Sequence, residues 1–255
     1  MLSHRVIPCL LLSQARGGLV KTHKFGKPKY VGDPINAVKI FNDKEVDELM
    51  LVDIDATREK RGPDFALIEE IAAECFMPLA YGGGIRTADD ARTLFSLGVE
   101  KVCLQTAAMR DPTIVHAIAE RAGQQAVMVS IDVRYNWRGK PQLHLAPGVD
   151  TPHRHWQDAV RAAVEAGAGE ILFNVVDRDG TLAGVDTDLI REASTIADVP
   201  LIAVGGVGSL DDIKAATDAG ASAVAAGAYF VFQGPHRAVL ITYPRYGDLQ
   251  ALWAG

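Results

Sequence analysis

The amino-acid sequence predicts an α/β protein of the (β/α)₈ TIM-barrel class, built from two similar half-barrels. Three observations lead to this prediction. Short apolar runs alternate with helical patterns along the chain, which is typical of βαβ units and a parallel sheet. The two halves of the sequence resemble each other. The length of 255 residues fits one barrel of about 250 residues better than two small domains. The prediction is one barrel domain over residues 1–255.

The repeat has a constant spacing of 122 residues, as between Pro78 and Pro200. Each of these prolines begins an apolar run that ends in a glycine pair, and a helical pattern follows to Gly98 or Gly220. The same spacing joins Asp55 to Asp177, Leu67-Ile68 to Leu189-Ile190 and Asp89-Asp90 to Asp211-Asp212. An internal repeat of this length indicates the architecture before any motif does.

The elements follow in order. Eight strands are predicted near residues 5–12, 48–54, 78–82, 101–105, 126–133, 170–175, 200–204 and 223–227. Asp33 before Pro34 is typical of a helix start, and Thr87 and Ser209 each begin a sequence close to a capping box. Helix ends are predicted at Gly98, Gly123, Gly167 and Gly220. Trp137, Trp156 and Trp253 are interpreted as packing residues.

Composition excludes several functional classes. The net charge of −6 argues against nucleic acid as a partner. No apolar run reaches the roughly 18 residues needed to cross a membrane, and the N-terminus lacks a signal-peptide core. The three cysteines, at 9, 75 and 103, lack CxxC spacing and are interpreted as reduced thiols without a metal. We therefore expect a cytoplasmic protein with neither metal nor cofactor.

Two connections are long, residues 13–32 and 134–154. Both follow predicted strands and belong at the C-terminal face of a barrel, where function resides. The first contains four lysines among glycines, and we expect it to be mobile and to close over a ligand. The second contains His144, His153 and His155, which we interpret as a solvated loop because metal-ligand spacing is missing.

Small residues end the strands of both repeats in register. They let backbone N–H groups approach a phosphate, and the following helix adds its positive end. The alternative is that the glycines only make tight turns; two matching copies favour phosphate binding and a ligand phosphorylated at both ends. The candidate residues are Gly83, Gly84, Gln105, Thr106, Gly205, Gly206, Ala226 and Gly227, with Gly180 after the sixth strand.

Acidic residues also follow strands. Asp132 ends the fifth strand, Asp53 the second, and Asp177 and Asp179 follow the sixth. A carboxylate at the mouth of a barrel can act as a general acid or base, whereas the alternative is a solvated loop acid or a helix cap. Asp132 directly follows an apolar strand, which favours a functional role. For Asp179 the alternatives stay open, because Asp-Gly is also turn chemistry.

Four charged residues, Arg5, Glu48, Lys101 and Glu170, stand at strand starts. If their side chains face the barrel axis, they form a neutral ring at the floor. The pattern alone favours the other interpretation, ordinary solvated charges before buried strands.

Together these residues resemble the HisF family, the cyclase subunit of imidazole glycerol phosphate synthase, over residues 4–235. The strings that carry the resemblance are Arg5-Val-Ile-Pro-Cys-Leu10, Gly32-Asp-Pro34, Asp47 to Ile54, Gly82-Gly-Gly-Ile85, Gly167 to Leu172 and, most specifically, Asp177-Arg-Asp-Gly-Thr181. The resemblance implies a phosphate-binding barrel that takes ammonia from a glutaminase docked at its floor. It also implies that the four floor charges gate the ammonia, and that Lys21 is the family's loop lysine.

One departure bears on catalysis. The family uses aspartates at the ends of the first and fifth strands as acid and base, and here Leu11 occupies the first position while Asp132 keeps the second. Losing one member of such a pair costs about 10²–10⁴ in rate. Gln105 also replaces the family's asparagine.

A variant group of the family carries such a leucine and shares further strings with this chain. These are Leu10-Leu-Leu12, Gly18-Leu-Val-Lys21, Lys29 to Asn36 and His236 to Pro244. That resemblance implies ammonia delivery, with a glutaminase and a sugar amidotransferase, for amidation of an N-acetyl sugar in surface polysaccharide (O-antigen). Two alternatives stay open: the cyclase of histidine biosynthesis, with Asp132 acting alone or with Asp179 or Lys21, and a non-catalytic phosphate-binding scaffold.

Overall fold

Strands and helices alternate along residues 4–254, the part of the chain that the computed structural model describes. The strands are β1 (Arg5–Ser13), β2 (Gly18–Lys21), β3 (Lys29–Gly32), β4 (Leu49–Asp53), β5 (Leu79–Gly82), β6 (Lys101–Leu104), β7 (Val127–Tyr135), β8 (Pro141–Leu143), β9 (Glu170–Val175), β10 (Leu201–Val204), β11 (Ala223–Ala226), β12 (Phe232–Gln233) and β13 (Ala238–Val239). The helices are α1 (Pro34–Asp43), α2 (Phe65–Glu74), α3 (Ala88–Ser96), α4 (Thr106–Arg110), α5 (Thr113–Ala122), α6 (Trp156–Glu165), α7 (Thr187–Ile196), α8 (Leu210–Asp218), α9 (Ala228–Val231) and α10 (Tyr246–Leu252). All eight predicted strands are present, with ends within two residues of those expected.

Eight parallel strands close into a barrel, which confirms the predicted fold class. In order around the barrel they are β1, β4, β5, β6, β7, β9, β10 and β11. The ring closes where β11 pairs in parallel with β1, from Arg5 opposite Ala223 to Pro8 opposite Ala226. Because every strand runs the same way, all strand starts meet at one end, the floor, and all strand ends at the other, the mouth.

Two apolar regions hold the barrel together. The larger lies between the strands and the surrounding helices and contains side chains such as Phe41, Tyr81 and Trp156. The smaller fills the barrel interior and contains Ile7 and Met128, both about 1% exposed. Inward and outward side chains alternate along each strand. Position along a strand therefore decides whether a residue lines the interior.

Equivalent helices in the two halves begin with side-chain N-caps at equivalent positions. Thr87 Oγ1 accepts a hydrogen bond from Asp90 N, and the Asp90 carboxylate accepts one from Thr87 N, which completes the predicted capping box. Ser209 Oγ likewise accepts from Asp212 N, but the Asp212 carboxylate accepts from Gly208 N and from the Ser209 hydroxyl. Capping thus places both helices after the glycine pairs.

Three antiparallel hairpins stand at the mouth. The first, residues 18–32, pairs β2 with β3 and continues the sheet from β1. The second, residues 134–144, pairs the end of β7 with β8. The third, residues 232–240, pairs β12 with β13. We call them the mouth hairpins. The long first connection is thus mostly a folded hairpin, and its movement over a ligand stays a prediction.

Of the three tryptophans interpreted as packing residues, Trp156 is buried and Trp253 is partly buried. The interpretation is wrong for Trp137, which is 86% exposed in the second mouth hairpin. Among the helices of residues 4–254, none combines the length and the apolar character required for a membrane crossing.

Candidate functional site

The four charges predicted for the floor face one another. Arg5 Nη1 lies 2.5 Å from Glu48 Oε2, and Arg5 Nη2 lies 2.7 Å from Glu170 Oε1. Lys101 Nζ lies 3.1 Å from a carboxylate oxygen of each acid. Each acid therefore contacts both bases, and the four side chains form a closed, neutral ring. The interpretation favoured by the sequence pattern alone, ordinary solvated charges, is wrong for this set.

Burial strengthens the attractions in the ring. The side chains of Glu48 and Glu170 are only 3% and 11% exposed, while that of Arg5 is 31% exposed. Burial alone would lower the pKa of Arg5, but the facing carboxylates of Glu170 and Glu48 raise it above its ordinary value. Arg5 thus stays charged, and the ring holds fixed ionic partners at the floor.

The interior above the ring is apolar. Its inward side chains are Ile7, Met50, Ala80, Cys103, Met128, Leu172, Ile202, Ala223 and Ala225. Burial raises the pKa of the Cys9 thiol, at the top of this layer, to about 11. An apolar lining accepts a small neutral molecule such as ammonia far better than an ion, because a desolvated charge is costly.

Asp132 is the buried acid of the mouth, with 8% of its surface exposed. Its carboxylate accepts hydrogen bonds from Gln105 Nε2 at 2.8 Å and from Ser130 Oγ at 3.1 Å. Burial raises the pKa of Asp132 to about 7, and the negative charge of Asp179 also raises it, against the lowering effect of Ser130. A carboxyl group with a pKa near 7 can both accept and donate a proton at neutral pH.

Leu11 holds the position in the first half that Asp132 holds in the second. Leu11 pairs with Val52, and Asp132 pairs with Asn174; Val52 and Asn174 are separated by the repeat spacing. The side chain of Leu11 lines the mouth cavity. The structure therefore places an isobutyl group where the symmetry of the barrel would place a second carboxylate.

Lys21 lies in a small mouth cavity of about 30 Å³ that Leu11 and Asp179 also line. Its side chain is buried, and Nζ donates a hydrogen bond to Cys9 O at 2.5 Å. Burial lowers the pKa of Lys21, while the nearby Asp179 raises it. Gly227 makes room for this amine, because a Cβ at that position would overlap Lys21 Nζ.

Asp179 joins the first hairpin to the second half-barrel. Its carboxylate accepts a hydrogen bond from Thr22 Oγ1 at 3.1 Å, and its carbonyl accepts one from Lys24 N at 2.9 Å. Burial raises its pKa, and the Lys21 charge lowers it. The structure thus gathers Asp132, Asp179, Lys21 and Leu11 at one mouth.

The predicted phosphate-binding glycines have a packing reason of their own. A Cβ at Gly83 would overlap Asp53 O, and one at Gly205 would lie 2.8 Å from Val175 O. Gly84, Gly180 and Gly206 are similarly close to neighbouring loops. Close packing against neighbouring backbone therefore explains why these positions lack side chains, in addition to the tight turns that the sequence left open as the alternative. Phosphate binding by their backbone N–H groups stays a prediction.

Three side chains near Asp132 have roles that the sequence did not predict. Gln105 is a predicted phosphate-binding residue, but its amide donates to Asp132, while Thr106 Oγ1 donates to Gln105 Oε1 at 3.2 Å. Ser130 was not singled out, although its place two residues before Asp132 on one strand puts both on the inward face. Asn174 was also missed. No signal in the sequence indicated which way Gln105 would turn.

The histidines of residues 134–154 do not gather. Within residues 4–254, no three His, Cys, Asp or Glu side chains lie close enough together to hold a metal ion. His144 instead lies against Phe25 of the first hairpin, with ring centroids 5.9 Å apart.

Comparisons with known proteins cover nearly the whole chain. The family model described as "Histidine biosynthesis protein" matches residues 5–235. The chain is 51% identical over 250 residues to the "Putative imidazole glycerol phosphate synthase subunit hisF2" of Pseudomonas aeruginosa, covering 98% of this chain and 99% of the relative.

Two further relatives have similar names. The subunit hisF3 of Vibrio vulnificus is 47% identical over 246 residues, covering 96% of this chain and 94% of the relative. A HisF subunit of Leptospira borgpetersenii is 43% identical over 255 residues, covering 99% of this chain and all of the relative. Like the Pseudomonas protein, both are named "Putative imidazole glycerol phosphate synthase subunit".

Proposed function

The chain belongs to the histidine biosynthesis protein family, as a HisF homologue, and from that premise we propose that it delivers ammonia rather than cyclising a substrate itself. In this proposal a HisH-like glutaminase docks at the floor and releases ammonia into the barrel. The ammonia leaves at the mouth and is used for amidation of an N-acetyl sugar in surface polysaccharide synthesis. A separate amidotransferase performs that amidation.

The observation that carries this proposal is Leu11 at the place equivalent to Asp132. Cyclisation in this family requires an acid and a base on opposite sides of the mouth, and an isobutyl group cannot transfer a proton. The register of β1 on β4 and of β7 on β9 supports the equivalence. Without the first carboxylate, the mouth keeps the carboxyl groups of Asp132 and Asp179 and one buried amine, Lys21.

The floor supports the entry of ammonia. The ring of Arg5, Glu48, Lys101 and Glu170 closes the narrow end with ion pairs. A glutaminase that displaced one of them would open a route into the apolar interior. Phe76 precedes β5, on the floor side, and is 85% exposed. Aromatic residues are enriched in protein interfaces, so we infer that Phe76 contacts the docked glutaminase.

A second candidate function is the cyclase itself, and the pKa of Asp132 favours it. A group with a pKa of about 7 is poised for general acid–base work, and Asp179 and Lys21, which could assist it, line a cavity at the same mouth. The relatives' names also refer to imidazole glycerol phosphate synthase. In this candidate the phosphate ligand binds through backbone N–H groups beside the glycine pairs.

The deciding experiment restores the missing carboxylate. With ammonia and the family's bisphosphate substrate, we expect the natural chain to form no imidazole product. Leu11→Asp should then form imidazole product, because one acid–base group typically contributes at least about 10² in rate. Leu11→Asn is the matched control, because it is similar in size and polar but cannot exchange a proton; it should stay inactive.

Each outcome separates the candidates. Cyclase turnover by the natural chain would overturn ammonia delivery as the sole role. No gain in Leu11→Asp would mean that the pocket no longer fits the bisphosphate. A third possibility, a silent scaffold, predicts that no glutaminase co-purifies with the chain; a stable complex whose glutamine hydrolysis depends on the barrel would reject it.

A further inference from the structure

The three mouth hairpins have an unusual charge. Residues 18–32, 134–144 and 232–240 contain eight of the chain's 26 Lys and Arg residues and none of its 32 Asp and Glu residues. The rest of the chain therefore has 18 basic against 32 acidic residues. The basic residues in the hairpins are Lys21, Lys24, Lys27, Lys29, Arg134, Arg138, Lys140 and Arg237. The Lys21 side chain is buried, so the other seven basic residues leave the mouth hairpins of an acidic protein with a positive outer surface.

The same hairpins expose large apolar side chains. Of the eight large hydrophobic residues that are exposed within residues 4–254, five lie in these hairpins. Their exposed fractions are 39% for Phe25, 52% for Tyr30, 86% for Trp137, 44% for Val239 and 61% for Leu240. Scattered exposed side chains need no explanation, but a concentration on one face marks an interaction site.

Contacts between the hairpins make them one surface. Arg134 Nη2 donates to Lys24 O at 3.0 Å, which joins the second hairpin to the first. Lys29 Nζ lies 5.4 Å from the Phe232 ring centroid, which joins the first to the third. Arg237 donates to the carbonyl oxygens of Gly180 and Thr181, at 3.2 and 3.1 Å, and fixes the third hairpin to the loop after β9.

Trp137 and Arg138 form the most prominent pair on this surface. The Arg138 guanidinium carbon lies 4.4 Å from the Trp137 ring centroid, within the range of a cation–π contact. Their hairpin turns through Asn136, whose carboxamide oxygen accepts hydrogen bonds from Arg138 N and Lys140 N. The local backbone therefore holds the pair in place. Trp and Arg are the residues that most often dominate protein interfaces.

The position of the exposed side chains suits a protein partner. The exposed aromatics lie on the hairpins rather than in the mouth cavity beneath the first hairpin. Complementarity of charge then requires an acidic face with apolar side chains at its centre. We propose that the mouth hairpins dock the enzyme that consumes the ammonia, through an acidic face of that enzyme.

The assignment to an ammonia-consuming enzyme rests on the proposed function. With Leu11 at the mouth, ammonia that arrives there meets no complete acid–base pair. Water outside would protonate and dilute it. A partner seated on the hairpins would cover the exit and receive ammonia directly. The docking surface itself depends only on the charges and exposed side chains, so the two proposals can fail separately.

The test places a photoreactive benzoylphenylalanine at position 137 in the full chain bound to its glutaminase. The cross-linked protein is identified, purified and titrated against the unlabelled chain. We expect an ammonia-consuming enzyme with an acidic face. Trp137→Ala and Arg138→Glu should each weaken its binding by at least about tenfold, as for central interface residues. Added salt should weaken it further. Trp137 is 86% exposed, so these variants should keep the unfolding temperature of the natural chain.

Two matched controls sharpen the result. Arg191→Glu reverses an exposed charge on α7, outside the hairpins, and Phe76→Ala removes the exposed aromatic at the floor. Neither should change binding of the mouth partner. Phe76→Ala should instead weaken binding of the glutaminase.

Several outcomes would overturn the docking surface. They are unchanged affinity in both hairpin variants, no adduct at position 137, and an adduct with nucleic acid, polysaccharide or a second copy of this chain. An acidic protein that depends on Trp137 and Arg138 but uses no ammonia would support the surface and reject ammonia delivery.

Discussion

The two half-barrels have the same backbone and different chemistry. Asp64 and Asp186, one repeat apart, each cap a helix by accepting a hydrogen bond from the backbone N–H three residues later. Thr87 and Ser209 cap the next helices in both halves. The features that set backbone direction are thus kept in both copies.

The inward side chains at the mouth differ. The first half presents Leu11 and Val52, and the second presents Asp132 and Asn174 at the paired positions. Gln105, which donates to Asp132, has Gly227 as its repeat counterpart. At these inward paired positions, the carboxylate thus belongs to the second half.

At the floor it is the first half that supplies most of the charged side chains. Glu48 and Glu170 are repeat counterparts, and both belong to the ring. Lys101, however, has Ala223 as its counterpart, and Arg5 also comes from the first half. Three of the four floor charges therefore come from one half. Both halves therefore keep the same helix caps and backbone. They differ in their side chains, with the mouth carboxylate in the second half and most of the floor charges in the first.

Replacing Asp132 by Asn should have the largest effect on stability. It leaves the second half of the barrel without a titrating side chain at the position equivalent to Leu11. Burial raises the folded-state pKa of Asp132 from its ordinary value of 3.8 to about 7, so the folded chain holds a proton that the unfolded chain releases. This stabilising contribution is fully present below about pH 4 and is lost as pH rises through about 7. Relative to Asp132→Asn, the natural chain should lose up to about 4 kcal/mol over that window.

Urea unfolding of both proteins from about pH 4 to pH 8 measures this difference. Asp150→Asn, at an exposed position, is the control and should follow the natural chain. Parallel stability curves for the natural chain and Asp132→Asn would mean that the mouth carboxyl is solvated, and the contrast between the halves would disappear.

Arg5→Ala tests the specialised floor. It leaves Glu48 and Glu170 with Lys101 as their only partner in the ring. Breaking a buried pair costs about 3–5 kcal/mol, and since Arg5 is one-third exposed we expect roughly 2 kcal/mol of lost stability. The ratio of ammonia transferred to glutamine hydrolysed should fall. Arg5→Lys keeps the charge but cannot span two carboxylates, so it should be intermediate. An unchanged ratio in Arg5→Ala would reject the gate.

Gln105→Leu tests the hydrogen bond that Gln105 donates to Asp132, which has no counterpart in the other half because the repeat position is Gly227. Removing a hydrogen bond to a charged acceptor, about 1.5–3 kcal/mol, should raise the pKa of Asp132 by about one to two units. Carboxyl ¹³C NMR titration measures the shift. Thr106→Val removes only the hydroxyl that donates to Gln105 Oε1 and should move the pKa much less. Equal shifts in both variants would count against a direct role for Gln105.

The smallest effects test the shared scaffold. Thr87→Ala and Ser209→Ala should each lower the free energy of unfolding by about 1 kcal/mol, as is typical for a lost N-cap. The double variant should show the sum of the two, because the caps share no partner. A cost at one cap only, measured by urea unfolding, would show that the halves differ in scaffold as well as in chemistry.

Periodicity and caps predict most of this fold. Strand starts and ends follow the apolar runs, and Asp33, Thr87 and Ser209 each cap the helix expected of them. The mouth hairpins escaped prediction because β2, β3 and β8 are three or four residues long and lie among lysines, glycines and prolines. A strand that short has too few alternating positions to show a period.

The site was predicted in part. Asp132, Lys21 and Asp179 meet at the mouth as expected, since strand ends converge in a parallel barrel. The floor ring could not be settled from pattern, because a charge at a strand start can face the axis or the solvent with equal ease. The direction of Gln105 depends on a contact with Asp132 across two strands, and no local signal encodes it.

The closeness of Gly227 to the Lys21 amine limits how the lineage of this chain can evolve. A Cβ at 227 would lie too close to the Lys21 amine, so a side chain there requires that amine to move. We therefore expect the two positions to vary together. A descendant that abandons the amine becomes free to vary at 227, so drift at that glycine would be an early sign that the chemistry at the mouth has been given up.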